Sequence, residues 1–441
     1  VLPEFIHLVR CGNSDMRVTL RWLVGGSICW CLFSNHYARD VTGALEREME
    51  ADLDISRERF QTLNSVYFAP NLIAPFLFGA LSQRLGPSNM LLAVYLVAAV
   101  GHVLVGLGGQ LGNYAMLLVG RVFLGIAYES IDCAPFPILQ PLFDDEWSLI
   151  VGIFSSGLRL GSVLNFVVSP VMYRIGGLKA GLWMASAVGL SGAVAAVATH
   201  RLLKRVARFN GEPGRLDGVA PSGECSPALR TRDNRGFCMM LIFAALGACL
   251  YAAIVPFWFF GGGFLRSKWG YSLHAADALM LLTEGGMVVL SPALGCLVNA
   301  YVKDRCLQMG IMAGTTCLIS ISIVLLAFMP STVPALVAML LLSVAYASTN
   351  FLFWNLSAVF IPKELQSLGA GIVGSALNLG ATILPVAMAR APNDQAALML
   401  LALAAALAGV MLLALSQMFS TSRRHTASRD DACQERPLAT S

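Results

Sequence analysis

The chain alternates between apolar stretches of about twenty residues and short polar or glycine- and proline-containing breaks. A helix crossing the hydrocarbon core of a bilayer needs ~20 residues at ~1.5 Å each. Twelve stretches reach that length. The first six lie roughly at 20–38, 62–83, 90–110, 115–137, 148–170 and 178–199. The other six lie roughly at 238–260, 275–298, 306–328, 332–355, 366–388 and 395–418. The pattern predicts an all-α membrane protein with twelve transmembrane helices in two six-helix bundles. It divides the chain into an N-terminal segment (1–19), a first bundle (20–199), a basic linker (200–236), a second bundle (237–419) and a disordered tail (420–441).

Composition agrees with this reading. Of 441 residues, 56% are hydrophobic and 13% charged, with mean hydropathy +0.68; a soluble chain of this length could not cover so much apolar surface. The net charge of +4 says less than its placement. Arg10, Arg17 and Arg21 precede the first span, Arg84 follows the second, Arg201, Lys204, Arg205, Arg208, Arg215, Arg230, Arg232 and Arg235 fill the linker, and Arg423 and Arg424 lie in the tail. These ends share one face if the spans alternate, and the positive-inside bias makes that face cytosolic. The segment after the first span carries Glu46, Glu48, Glu50, Asp52 and Asp54 and is expected as a luminal or external loop.

Several function classes fall away. The 11 cysteines show no CxxC spacing, so neither a zinc site nor a disulfide framework is expected, and Cys249 and Cys317 read as packing residues. There is no P-loop or nucleophile motif, hence no enzyme, no cofactor and no nucleic-acid partner. No segment reads as a cleavable signal peptide, and the chain opens on Val1 rather than Met, which allows a further N-terminal segment bearing a sorting signal. The one N-x-S/T sequon, at Asn355, falls inside a span and should carry no glycan.

Chemistry concentrates on charges inside the spans. Glu129 and Arg159 sit deep in two consecutive apolar stretches, where each costs at least ~2.5 kcal/mol to insert. A short hairpin between those spans brings the two within reach of each other. They are either a helix-pinning ion pair or a binding site with one negative and one positive anchor. Asn165, six residues beyond Arg159, faces another side of its helix and either bridges helices or touches a solute. Glu284 lies partway down the eighth span and is a proton site, a counter-ion or a hydrogen-bonded neutral group. Arg121 is expected near the luminal end, more exposed and structural. Among the aromatic residues Tyr37, Tyr67, Tyr128, Trp258, Tyr346 and Trp354, only Tyr67 and Tyr128 stand out as cavity candidates. His36 and His274 are expected near the luminal surface.

The six-plus-linker-plus-six arrangement resembles the major facilitator superfamily of secondary transporters. The run from Gly120 and Arg121 to Glu129 and Ser130 is similar to the fourth helix of one branch, the lysosomal dipeptide transporters called major facilitator superfamily domain-containing protein 1, and the run from Arg159 to Asn165 is similar to its fifth helix. Tyr67, Pro70 and Asn71 match the second helix; Pro256, Phe257, Gly261, Phe264, Lys268, Gly270, Ala275 and Ala276 match the seventh and the approach to the eighth; Pro362, Leu368, Gly369, Asn378, Leu379 and Gly380 resemble the segment leading into the eleventh. The resemblance spans most of the chain between Arg21 and about Gln417. It implies alternating-access transport of dipeptides, by uniport, across a lysosomal or vacuolar membrane, with the plasma membrane as the alternative. It also implies that Glu129 and Arg159 hold the two ends of the peptide, and that the partners are the solute, the lipid bilayer and a glycosylated single-span accessory subunit. The chain departs from the family where the cytosolic G-x-x-x-D-[RK]-x-G signature has Gln83 in the acidic place, where the second copy starting at Gly295 also lacks the acid, where the family's Asp-Asn-Pro reads Asp40-Val41-Thr42, and at Glu284, which has no acidic counterpart. A proton-coupled organic-anion or amino-acid transporter and a transport-inactive scaffold are the competing readings.

Overall fold

The computed structural model describes residues 13–209 and 234–434, apart from which the N-terminal Arg10 and the linker residues Arg215, Arg230 and Arg232 lie outside the described residues. Everything described is helix, turn or short connection. The first bundle holds α1 (Asn13–Arg39), α2 (Val41–Ala44), α3 (Glu46–Asp52), α4 (Arg57–Phe68), α5 (Ala74–Leu85), α6 (Pro87–Leu111), α7 (Tyr114–Cys133), α8 (Phe136–Leu139) and α9 (Trp147–Phe209). The second holds α10 (Asn234–Trp269), α11 (Leu273–Tyr301), α12 (Arg305–Phe328), α13 (Leu336–Phe360), α14 (Gln366–Met388) and α15 (Asp394–Gln434).

Among the described residues, nine helices are long and apolar enough to cross a membrane, and the pair α4–α5, bent by 43°, makes a tenth crossing. Pro70 and Pro75 explain that bend, because each lacks an amide hydrogen and crowds the preceding turn. Two further crossings come from α9 and α1. With 63 residues, α9 would extend ~95 Å if straight, and it breaks at Gly176 and Gly177. Gly177 takes φ 69°, a left-handed conformation that only glycine adopts without strain, so the expected gap between the fifth and sixth spans is a hinge rather than a loop. α1 is long enough but polar, since Asn35, His36 and Arg39 lie in it.

Two expectations need correction. The acidic segment after the first span is helical, forming α2 and α3, rather than a loop. The tail expected to be disordered from residue 420 continues α15 to Gln434; Ser420–Gln434 contains neither proline nor glycine to stop a helix.

Within the first bundle α9 packs along α1 and α6, and α6 along α7; within the second, α10 packs along α14 and α15, α12 along α13 and α15, and α11 along α13. The bundles meet along two seams, α9 with α11 and α5 with α14. Glycine pairs set both. A Cβ on Gly79 would lie 3.2 Å from the Gly371 Cα, and one on Gly295 would lie 3.2 Å from the Gly152 Cα, distances that leave no room for a side chain. Both pairs sit at the end of the molecule where the linker joins the bundles. Polar contacts complete the seal there: Trp147 Nε1 donates to the Asn355 carbonyl at 3.0 Å, Ser148 Oγ to Asn355 Oδ1 at 2.9 Å, and Gln366 Nε2 to Gln140 Oε1 at 2.6 Å. Gln83, in the place of the signature's acid, donates to the Glu364 carbonyl at 3.3 Å.

Candidate functional site

α7 carries Glu129 and, one turn further, Asp132. Residues three apart on a helix are neighbours, so two carboxylates occupy adjacent places on this helix. Gly125 lets α7 approach α4 so closely that a Cβ there would collide with the Tyr67 backbone. The same contact brings Asn71 to the Glu129 amide, whose N–H donates to Asn71 Oδ1 at 3.4 Å.

α1 answers Asp132. Asn35 Nδ2 donates to Asp132 Oδ1 at 3.0 Å and to the Tyr128 carbonyl at 3.2 Å, while His36 Nε2 lies 2.8 Å from Asp132 Oδ2. Arg39 pairs with Asp40, donates to the Tyr128 hydroxyl and reaches Ser162 Oγ on α9 at 3.2 Å. Arg121 is buried; it donates to the carbonyls of Leu63 (3.4 Å) and Arg39 (3.2 Å) and to Asn64 Oδ1 (3.4 Å), with its guanidinium 4.0 Å from the Tyr67 ring centroid. Cation–π contact and carbonyl acceptors are thus what hold this charge.

Arg159, on α9, reaches across to the second bundle. Its Nη1 lies 3.1 and 2.9 Å from the two oxygens of Glu284 on α11, and Nη2 donates to the Tyr346 hydroxyl on α13 at 3.1 Å. The Trp258 ring on α10 lies 5.1 Å from the guanidinium carbon. Glu129 also faces the second bundle. Its Cγ would lie 3.3 Å from a Cβ on Gly374, and the Asn378 amide faces its carboxylate from α14. Its side chain is buried, and among the described residues no arginine, lysine or histidine forms an ion pair with it. The site therefore contains a guanidinium that already grips a carboxylate in its own structure, and a carboxylate with no cation.

The structure places the six residues singled out from sequence as follows. Arg159 and Glu284 form one cross-bundle pair, so the ion pair of Arg159 is with Glu284 and not with Glu129. Tyr128 binds Arg39 and approaches His36 Nε2 at 3.4 Å. Tyr67 is buried beneath Arg121 and stacks at a tilt on Tyr128, ring centroids 5.4 Å apart. Asn165 is fully buried with neither side-chain polar atom hydrogen-bonded, so it bridges no helices here. Arg121 and His36, expected near the luminal end, are both buried: Arg121 lies against the Tyr67 ring and backbone carbonyls of α4 and α1, and His36 meets Asp132. Sequence reasoning passed over Asn35, Arg39, Asp40 and Asp132 as site residues. The signal for Asp132 was its position three residues after Glu129; nothing in the sequence indicated that His36 meets it.

The Major Facilitator Superfamily profile matches residues 28–385. The chain is 24% identical over 378 residues to the lysosomal dipeptide transporter MFSD1 of Mus musculus, covering 84% of this chain and 80% of that one. It is 26% identical over 374 residues to the protein of the same name from Danio rerio, covering 82% and 78%. Among solved structures, the transporter FucP in its outward conformation superposes with a TM-score of 0.70 at 13% identity, covering 89% of this chain and 98% of that one. A profile match over most of the sequence, two six-helix bundles and charged groups gathered at their interface lead to one assignment: the chain belongs to the major facilitator superfamily.

Proposed function

We propose that the chain moves dipeptides across a membrane by alternating access, as a uniporter, with Glu129 receiving the peptide ammonium and Arg159 its carboxylate. One observation carries the reading. Arg159 binds both oxygens of an internal carboxylate, Glu284, while the buried Glu129 has no ion-pair partner among the described residues. A free dipeptide has a group for each: an ammonium for Glu129, and a carboxylate to replace Glu284 on the guanidinium fork. An amino acid has the same two charges closer together, and a dicarboxylate has no group for Glu129.

The names of the curated relatives support the cargo and suggest a lysosomal membrane, since both are called lysosomal dipeptide transporters. We assign the linker and both ends of the chain to the cytosolic face on the basic bias, so the seal at Gly79 and Gly295 closes the cytosolic side. Dipeptides, single amino acids and dicarboxylates, each added to the purified protein in a thermal-shift screen, test the reading, because a ligand that binds the folded state raises its melting temperature. Dipeptides alone should give a clear shift, and the same dipeptides should enter proteoliposomes. A shift with dicarboxylates and none with dipeptides would overturn it.

A further inference from the structure

Among the described residues, the polar interior around these side chains holds three guanidinium groups, Arg39, Arg121 and Arg159, and four carboxylates, Asp40, Glu129, Asp132 and Glu284. Arg39 is matched by Asp40 and Arg159 by Glu284. Asp132 and Glu129 lie side by side on α7 with Arg121 engaged elsewhere by carbonyls and the Tyr67 ring. At low dielectric an uncompensated charge is expensive, so the set needs one more positive charge. We propose that His36 and Asp132 form a proton-binding site that supplies it, and that the proton held there keeps Glu129 ionised and able to receive a cationic group.

The geometry names the atom. Both Asp132 oxygens accept hydrogen bonds, Oδ1 from Asn35 and Oδ2 from His36 Nε2. With Asp132 ionised, Nε2 is the donor, and the other ring nitrogen, Nδ1, is buried with no hydrogen-bond partner. The proton binds the lone pair of Nδ1, the imidazole becomes imidazolium, and Asp132 is its counter-ion.

Groups of both charge signs surround the ring, and Asp132 is the one in contact with it. On α1 itself Arg39 and Asp40 face the ring; from α7 come Tyr128 and the contacting Asp132, with Glu129 beyond Asp132, and from α9 comes Arg159. Tyr67 on α4, Tyr95 on α6 and Tyr251 on α10 also lie near Asp132. Arg39 and Arg159, which would repel an imidazolium, are tied to Asp40 and Glu284, and Asp132 is the carboxylate in contact with His36. If His36 could not hold the proton, the excess negative charge would draw it to one of the two adjacent carboxylates, and a protonated Glu129 cannot pair with an ammonium.

The location of the proton is independent of the cargo, while the effect on solute binding rests on the dipeptide reading. Infrared difference spectroscopy of the solute-free protein at about pH 6 tests the first part through the carbonyl stretch of a protonated carboxylic acid. The wild type should show no such band that Glu129→Gln removes. His36→Gln should gain a band that disappears in His36→Gln/Glu129→Gln. Adding Asp132→Asn to His36→Gln should also abolish it, because three carboxylates then face three guanidiniums, while an unchanged helical amide I band shows that the variants are folded. A band already removed from the wild type by Glu129→Gln, or none gained by His36→Gln, would overturn the proposal. For the second part, alanyl-alanine affinity should change little between about pH 7.5 and 5 in the wild type and fall about tenfold or more in His36→Gln. Parallel profiles for the two proteins would overturn that part; no binding of alanyl-alanine by the wild type would count against the dipeptide reading, with the infrared result still deciding the proton site.

Discussion

Arg159 and Glu284 join the two bundles across their interface, with Nη1 of the first 3.1 and 2.9 Å from the two carboxylate oxygens of the second. Because they sit on different bundles, this bond must stretch or break whenever the bundles rock about the site. If Arg159 takes a peptide carboxylate as proposed, Glu284 holds the place on the guanidinium that this carboxylate would need. It is thus both a stabilising partner and a competitor.

That dual role gives an expected outcome for Glu284→Gln. Removing one member of a buried pair costs ~3–5 kcal/mol, and the effect here should be smaller because the Glu284 side chain is 19% exposed. The solute-free protein should melt several degrees lower. Dipeptide affinity should rise, by about tenfold if the lost competition is worth ~1.4 kcal/mol, and release should slow. Isothermal calorimetry beside a melting curve checks both signs. A variant that melts lower and also binds more weakly would show that Glu284 contacts the solute directly.

Arg159→Lys keeps the charge and loses the fork. An ammonium cannot serve Glu284 and the Tyr346 hydroxyl with two planar N–H groups, as Nη1 and Nη2 do. Dipeptide affinity should fall by ~2–5 kcal/mol, or about thirtyfold and more, in equilibrium binding. Near-normal binding would mean that the positive charge alone suffices.

Much of the fold was legible from the apolar pattern, since a membrane-spanning helix has few other ways to satisfy its backbone. The residues Gly176 and Gly177 mark the hinge in α9, and Pro70 and Pro75 mark the bend of α4–α5, both visible as sequence. What was not legible is which charges meet. Glu129 and Arg159 are on consecutive spans, which suggested a pair, yet Arg159 turns to Glu284, 125 positions away. His36 looked superficial because the first span was ended at residue 38; the ring is buried against Asp132 and Tyr128 of α7. Pairings between distant elements depend on helix rotation about the bundle axis, and apolar periodicity alone does not fix that where most faces are apolar.

The glycine seams predict a conformational effect. Gly79→Val would press a side chain onto the Ser367 carbonyl and the Gly371 Cα, and a flexible rearrangement is unavailable because both contacts are backbone. The end of the molecule sealed by Gly79 should therefore open, shifting the population toward the opposite conformation. A cysteine placed at Ala80 should react faster with a membrane-impermeant maleimide from the linker side than it does in the parent, and transport should fall about tenfold, as a shift of ~1.4 kcal/mol in the equilibrium would require. Unchanged labelling would show that the seam is not the gate.

The assignment of the two anchors can be tested by removing the same contact from either side. Acetylating the amine of a dipeptide eliminates its positive charge, and Glu129→Gln eliminates the charge that would receive it. If the two groups meet, each change alone should cost ~2–5 kcal/mol because it leaves the other charge buried and unmatched, and the two together should cost little more than one. A double cycle would then give a coupling energy of similar size, well beyond the ~0.5 kcal/mol within which independent changes add. Amidating the carboxylate should couple in the same way to Arg159→Gln and not to Glu129→Gln, as the proposed assignment of the two residues to opposite ends of the peptide requires. Glu284 complicates only the second cycle, because in Arg159→Gln its carboxylate also loses a partner. Adding Glu284→Gln to both arms removes that contribution. If acetylated and free dipeptides bind the wild type equally, Glu129 has no ammonium to receive, and the assignment of both peptide ends fails with it.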